Sequence, residues 1–307
     1  MKMGNYSKGV IMIVIAAVSW GIFPILTRTL LSSGVDSLAI CSARAVIAAL
    51  IYLAMGIKGG DFKNITPKWW AFYTIMSVFT IVGLLVLYTV ALDMLSTAMA
   101  CILMYTAPAF VIILGRIFYG EEVTKRKVVC LILTFIGCAL VVRVYDFASL
   151  SVNFLGIIIG IGSGIAYSMV TVFGQKALKV HSSRTVAMAP ALTGAVLMQF
   201  LCPVWSVDFS VWWVDLMFIG VALLGSVLPL LVYNRGMELG VDGGSASIIT
   251  TLEPVVAAVC GVLILGDTME LWQVVGIVLV LIGAAVPGLA KDNGTGAAPG
   301  PGSLIIT

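Results

Sequence analysis

The sequence predicts an all-α integral membrane protein: ten transmembrane helices arranged as two inverted five-helix repeats. Three features point there. First, of 307 residues, 61% are apolar and 10% charged, with a mean hydropathy of +1.15. A soluble domain carries about 25% charged residues and needs them to cover its surface in water. Second, lysines and arginines fall on alternate sides of successive apolar runs. Third, the chain repeats itself. This composition excludes a soluble enzyme, a nucleic-acid binder and a disordered chain. The net charge of +3 is too small to imply an anionic partner.

A crossing helix needs about 20 apolar residues to span about 30 Å of hydrocarbon. The runs that qualify are 8–31, 36–56, 68–92, 96–119, 127–145, 153–177, 185–205, 212–238, 244–265 and 270–290. They are continuously apolar, whereas a barrel strand alternates over about ten residues. The first run exceeds the roughly 7–15 residues of a signal h-region and no A-x-A site follows, so it reads as a span. The connections are too short for a soluble domain. Cys41, Cys101, Cys130, Cys138, Cys202 and Cys260 all lie in apolar runs without a CxxC pair. That pattern predicts buried thiols rather than a disulfide framework or a zinc site. The Gly/Pro-rich segment 291–307 predicts a disordered cytoplasmic tail.

Orientation follows from the basic residues. With the N-terminus cytoplasmic, fourteen of the 17 lysines and arginines lie on the cytoplasmic side, only Arg28 and Arg143 lie outside, and Arg44 is within a span. Dropping one helix would scramble this alternation. Both termini are then cytoplasmic, in a multi-pass protein of the cytoplasmic membrane. Trp69, Trp70, Trp205, Trp212, Trp213 and Trp272 sit at span ends, where an aromatic belt forms; Trp20 is mid-span and breaks that rule.

Residues 96–140 align without gaps on 242–286, placing Pro108 on Pro254, Gly115 on Gly261, Gly120 on Gly266 and Gly137 on Gly283. Apolar composition alone does not readily put a proline and three glycines in register. The first span pairs with the sixth: Gly9 with Gly156, Trp20 with Tyr167, Leu31 with Leu178. The units are therefore 1–147 and 148–290. Five is odd, so the second unit must be upside down. The basic loop 120–127 falls inside and its counterpart 266–273, without lysine or arginine, outside. Inverted repeats are the architecture of alternating-access carriers, with a site near the midplane between the halves.

Leu252-Glu253-Pro254-Val255 with Gly261 to Asp267, and Tyr105-Thr106-Ala107-Pro108 with Gly120-Glu121-Glu122, resemble the paired fourth- and ninth-helix motifs of the EamA-like drug/metabolite transporters. Trp20-Gly21 and Arg44 fit the same pattern. The resemblance covers roughly 8–290. It implies ten helices, a central cavity and secondary transport of a small organic metabolite, an amino acid or similar solute, with export favoured. The implied partners are that solute and the lipid bilayer. No cofactor is implied.

Arg44 and Glu253 are the ionisable residues deep in spans, where a charge costs at least about 2.5–3.5 kcal/mol and must face protein or water. Glu253 reads either as a proton or substrate-cation site or as a brace at the helix break made by Pro254. Its counterpart is Ala107, so repeat symmetry does not require an acid. Arg44 could hold a substrate carboxylate through its planar fork, or fix the second helix by pairing with a carbonyl or with Glu253. If both faced one cavity, they would suit a zwitterion. Trp20, Tyr105 and Tyr167 are mid-span aromatics needing a partner for N–H or O–H, with Tyr88 nearer a span end; Asn234 and Thr251 are further polar candidates. Pro108 and Pro254 are expected to break their helices. Gly156, Gly160 and Gly164 form a small-residue stripe for close helix contact.

No HExxH, GxSxG or Walker A run occurs, and the lone His181 falls in a loop, so an enzyme or an ATP-driven pump is not indicated. A channel or uncoupled facilitator is the alternative, and an intramembrane enzyme would need Arg44 and Glu253 to meet.

Overall fold

The computed structural model describes residues 4–63, 65–146, 153–266 and 268–288, and every regular element among them is helical. The first half holds α1 (Asn5–Ser32), α2 (Ser37–Gly59), α3 (Pro67–Ser77), α4 (Leu84–Met94), α5 (Thr97–Met104), α6 (Ala107–Tyr119) and α7 (Lys125–Val141). A π-helical turn, Val78–Gly83, joins α3 to α4. The second half holds α8 (Phe154–Leu178), α9 (Ser183–Met198), α10 (Trp212–Ala222), α11 (Leu228–Glu238), α12 (Gly243–Thr250), α13 (Leu252–Cys260) and α14 (Leu271–Gly288). A second π turn, Leu223–Val227, joins α10 to α11 at the place the first occupies in its half. A third, Gly261–Leu265, extends α13. The boundary predicted near 147 and the tail 291–307 lie outside the described residues.

Six helical stretches are long and apolar enough to cross a membrane: Asn5–Ser32, Ser37–Gly59, Ala98–Tyr119, Phe154–Leu178, Trp212–Glu238 and Gly243–Ile264. The other predicted spans coincide with shorter helices, α3 with α4, α7, α9 and α14, of which Leu271–Pro287 stands out as apolar. Outward faces are apolar, with Ile57, Phe154, Phe200 and Leu263 all exposed, as a surface solvated by hydrocarbon requires. Trp212 and Trp272 are exposed at helix ends, and Trp205 is exposed in a short 3-10 turn, Val204–Ser206, beyond the end of α9 at Met198; an indole so placed can put its ring in lipid and its N–H in water.

Local chemistry explains the breaks. Pro108 and Pro254 cannot donate to the carbonyl four residues back. The helix yields just ahead of each, at Tyr105–Thr106 between α5 and α6, and at Thr251 between α12 and α13. Ser96 caps α5 by accepting from the Met99 N–H, and its counterpart Asp242 caps α12 by accepting from Ser245 N–H at 3.0 Å. Gly120 and Gly266 end their helices at φ +67° and +73°, a left-handed conformation that a Cβ would strain.

The helices pack in pairs that exchange under the sequence alignment. α1 lies on α11 and α13, and α8 lies on α4, α5 and α6. Gly9 faces Gly236 and Val241, around the α11–α12 connection; its counterpart Gly156 faces Met94 and Leu95, around the α4–α5 connection. α7 and α14 cross backbone to backbone. A Cβ on Gly137 would stand 2.8 Å from the Gly276 carbonyl oxygen and 2.7 Å from Val280 Cγ2. One on Gly283 would stand 3.1 Å from the Cys130 carbonyl oxygen and 2.6 Å from Thr134 Cγ2. Cys130 and Thr134 are the aligned counterparts of Gly276 and Val280, so each half presents the same crossing to the other.

Candidate functional site

The π turn in the second half creates the first element of the site. Pro229 has no N–H to return to the carbonyl of Gly225, and that oxygen accepts the Trp20 indole N–H at 3.2 Å. The Tyr52 hydroxyl meets the next two carbonyls, of Ser226 at 3.2 Å and Val227 at 2.9 Å. Carbonyls of this irregular turn are thus satisfied by aromatic side chains from α1 and α2, the condition for an irregular turn at membrane depth.

Trp20 then meets two tyrosines. Its ring stands edge-on to Tyr167 of α8 with centroids 6.5 Å apart, and tilted against Tyr233 of α11 at 5.6 Å. Trp20 and Tyr167 are aligned counterparts, so the first and sixth predicted spans meet through equivalent positions. The Tyr233 hydroxyl lies 2.6 Å from Thr171 Oγ1. These rings, with Tyr105 and Thr251 from the two helix breaks, line a small cavity between the halves. Its volume is about 20 Å³, room for about one water. The rings are packed on one another, so little space remains between them in this conformation.

Glu253 joins the site through Tyr167, whose hydroxyl donates to Glu253 Oε2 at 3.3 Å. Tyr88, Tyr105 and Cys101 stand within electrostatic reach of the same carboxylate, and the Tyr88 hydroxyl lies 3.0 Å from Cys101 Sγ. Among the described ion pairs, none involves Glu253. Cationic side chains are also missing from the cavity lining.

The structure therefore brings Trp20, Tyr105, Tyr167 and Thr251 around one cavity, with Glu253 behind Tyr167 and Tyr88 within electrostatic reach of Glu253. Pro108 is part of the lining. Pro254 is not; it is buried in α13, whose Glu253 carbonyl and Val256 pack on Gly21 of α1. Arg44 stands apart. Its guanidinium lies over the Phe23 ring, 5.6 Å from the centroid, and its stem packs on Gly225. Asn234 is buried outside the lining and donates from Nδ2 to the Leu230 carbonyl at 2.8 Å. Sequence reading overlooked Tyr233, Thr171, Ser168, Ser247 and Thr250. Tyr233 is close enough to a span end to pass for a belt residue. The hydroxyls of Ser168, Ser247 and Thr250 are spent on carbonyls of their own helices, so no sequence pattern marks them.

All six cysteines are free thiols. No cluster of potential metal ligands occurs among the described residues.

A model of the EamA-like transporter family matches this chain twice, over residues 7–143 and 154–287. An uncharacterized transporter of Archaeoglobus fulgidus is 28% identical over 275 residues, spanning 89% of this chain and 94% of that one. An uncharacterized inner membrane transporter of Salmonella typhimurium, YicL, is 23% identical over 289 residues, spanning 91% and 94%. A protein known from a crystal structure has the same fold, with a TM-score of 0.76 at 17% identity over 91% of this chain and 96% of its own.

Proposed function

The chain belongs to the EamA-like transporter family, and from that premise we propose that it is a secondary carrier moving a small organic solute across the cytoplasmic membrane by alternating access. In this reading ten helices form two inverted five-helix repeats, with α3–α4, α7, α9 and α14 completing the crossings. The small cavity lined by Trp20 and Tyr167 is the solute site. Glu253 is the group that takes up a coupling proton or the charge of the solute. Export is the direction that the family resemblance favours.

The observation that carries this reading is the exchange of packing partners between the halves. Gly137 with Gly276 and Val280 is matched by Gly283 with Cys130 and Thr134. A family model that fits each half separately agrees with it. Two similar units of odd helix number, packed through equivalent faces around a midplane cavity, can rock to open one end while closing the other.

The test is topological. Single cysteines at Lys125 and Thr268, in a cysteine-free background, are expected to react with an impermeant maleimide from opposite faces of oriented vesicles. Reaction from the same face would remove the inverted repeat and the carrier mechanism with it.

A further inference from the structure

The charge inventory of the cavity says more about the solute than its shape does. Among the described residues Glu253 is the carboxylate hydrogen-bonded to a residue of the lining, through Tyr167, and the lining itself has no lysine, arginine or histidine. Arg44, the other ionisable group deep in the helices, is engaged elsewhere, over Phe23 and against Gly225. A solute carboxylate entering here would find a second carboxylate behind Tyr167 and no cation in the lining. Like charges set side by side without compensation disfavour binding strongly.

The rest of the lining favours positive charge. Trp20, Tyr105, Tyr167 and Tyr233 surround the space with four aromatic rings. The faces of such rings carry negative quadrupolar potential and attract ammonium groups. The hydroxyls of Thr171 and Thr251 supply acceptor oxygens but no charge.

We propose that the solute is a monocationic amine without a carboxylate, its ammonium held by Glu253 and the tyrosine faces. This inference rests on the carrier reading and narrows its solute class: a free amine rather than an amino acid. The ammonium supplies the charge partner that Glu253 lacks among the described ion pairs. Its apolar body displaces the edge contact between Trp20 and Tyr167, and the cavity opens to admit it.

Four probes with one phenyl ring and different charge separate the alternatives: phenethylamine, phenethyl alcohol, phenylalanine and hydrocinnamate. Binding to the purified full-length protein is measured by microcalorimetry in nonionic detergent at neutral pH, with protein-free micelles subtracted. The amine is expected to bind at least about tenfold more tightly than the alcohol, and about 100-fold or more above the carboxylate. In Glu253→Gln the ratio of amine to alcohol should fall to about one. Phenylalanine or hydrocinnamate binding as well as the amine overturns the proposal, and so does an amine that binds no better than the alcohol. So does failure of all four to bind. The ratios in the unaltered protein decide the matter even if Glu253→Gln does not fold. Opposite-face labelling at Lys125 and Thr268 together with a failed amine preference would leave the carrier reading standing and remove this inference alone.

Discussion

The two ends of the molecule, equivalent by sequence alignment, are closed in different ways. At the end carrying the α6–α7 connection, charges are held inside. Glu121 Oε1 accepts from Gln175 Nε2 at 2.5 Å and from the Gly243 N–H at 3.3 Å. Lys127 Nζ lies 2.7 Å from Asp242 Oδ1 and 3.8 Å from Glu121 Oε2. One network thus ties α7 and its leading loop to α8 and the start of α12. At the opposite end Arg143 pairs with Glu270, which also accepts from the Tyr145 hydroxyl at 2.6 Å. That pair is exposed, with 47% and 40% of each side chain open, against 17% for Lys127 and 14% for Glu121. The counterpart of Lys127 is Gln273, an amide that donates to the Val141 carbonyl at 3.0 Å.

The repeat therefore preserves helix crossings but not the chemistry of the ends. Crossings depend on small residues that both halves must share. The ends depend on single polar residues, and one substitution of lysine by glutamine changes what they can hold. On the carrier reading, opening the Lys127 end separates half-buried charges, which is costly once a partner is lost. Opening the other end separates a pair already bathed in water, where pairing contributes little.

The largest effect is expected from Lys127→Met. It leaves Glu121 and Asp242 facing each other without their cation and should destabilise the fold by about 2 kcal/mol, discounted from the fully buried case because Asp242 is partly open. Thermal unfolding in detergent measures it. An unfolding temperature within error of the parent would mean that the network holds nothing together.

Acid sharpens the same contrast. Burial pushes the Asp242 carboxyl up, but the Lys127 ammonium, with hydrogen bonds from Lys127 and Ser245, outweighs burial and holds it below the ordinary aspartate value. A lowered folded value stabilises the protein at every pH above the ordinary value of about 3.9 and loses that contribution as pH falls through the lowered one. Stability from Asp242 should therefore stay flat from neutral pH to about 5 and decline only in stronger acid. In Lys127→Met burial is opposed only by the Ser245 hydrogen bonds, so the decline should shrink or reverse. Unfolding temperatures across a pH series, with Asp242→Asn as the control lacking the titration, would expose an error if the two profiles coincide.

The smallest effect belongs to the exposed end. Arg143 sits at φ +63°, a conformation that glycine adopts without strain. Arg143→Gly loses a surface ion pair and relieves that backbone, so stability should change by no more than about 0.5 kcal/mol. A loss matching that of Lys127→Met would erase the difference between the ends.

Helical class and the repeat were legible in the sequence because both rest on local rules. Apolar runs of crossing length, prolines in register at 108 and 254 and glycines in register at 137 and 283 can be read one residue at a time. Membership of the family was legible for the same reason. The candidate site was legible only where a residue broke an expectation, as Trp20 does by lying mid-span and Glu253 by carrying charge there. Tyr233 and Thr171 broke none, and only their mutual hydrogen bond marks them.

What tertiary structure alone decided is which polar groups share a space. The sequence placed Arg44 and Glu253 at similar depth and left open whether they meet. Packing settled it. Pro229 freed the Gly225 carbonyl, the Trp20 indole took that oxygen, and Arg44 came to rest on Phe23 beside the same glycine, while Glu253 turned to Tyr167. Helix depth follows from distance along one chain. Helix rotation and the pairing of side chains across helices follow from the combined shapes of all neighbours, and no local pattern encodes that combination.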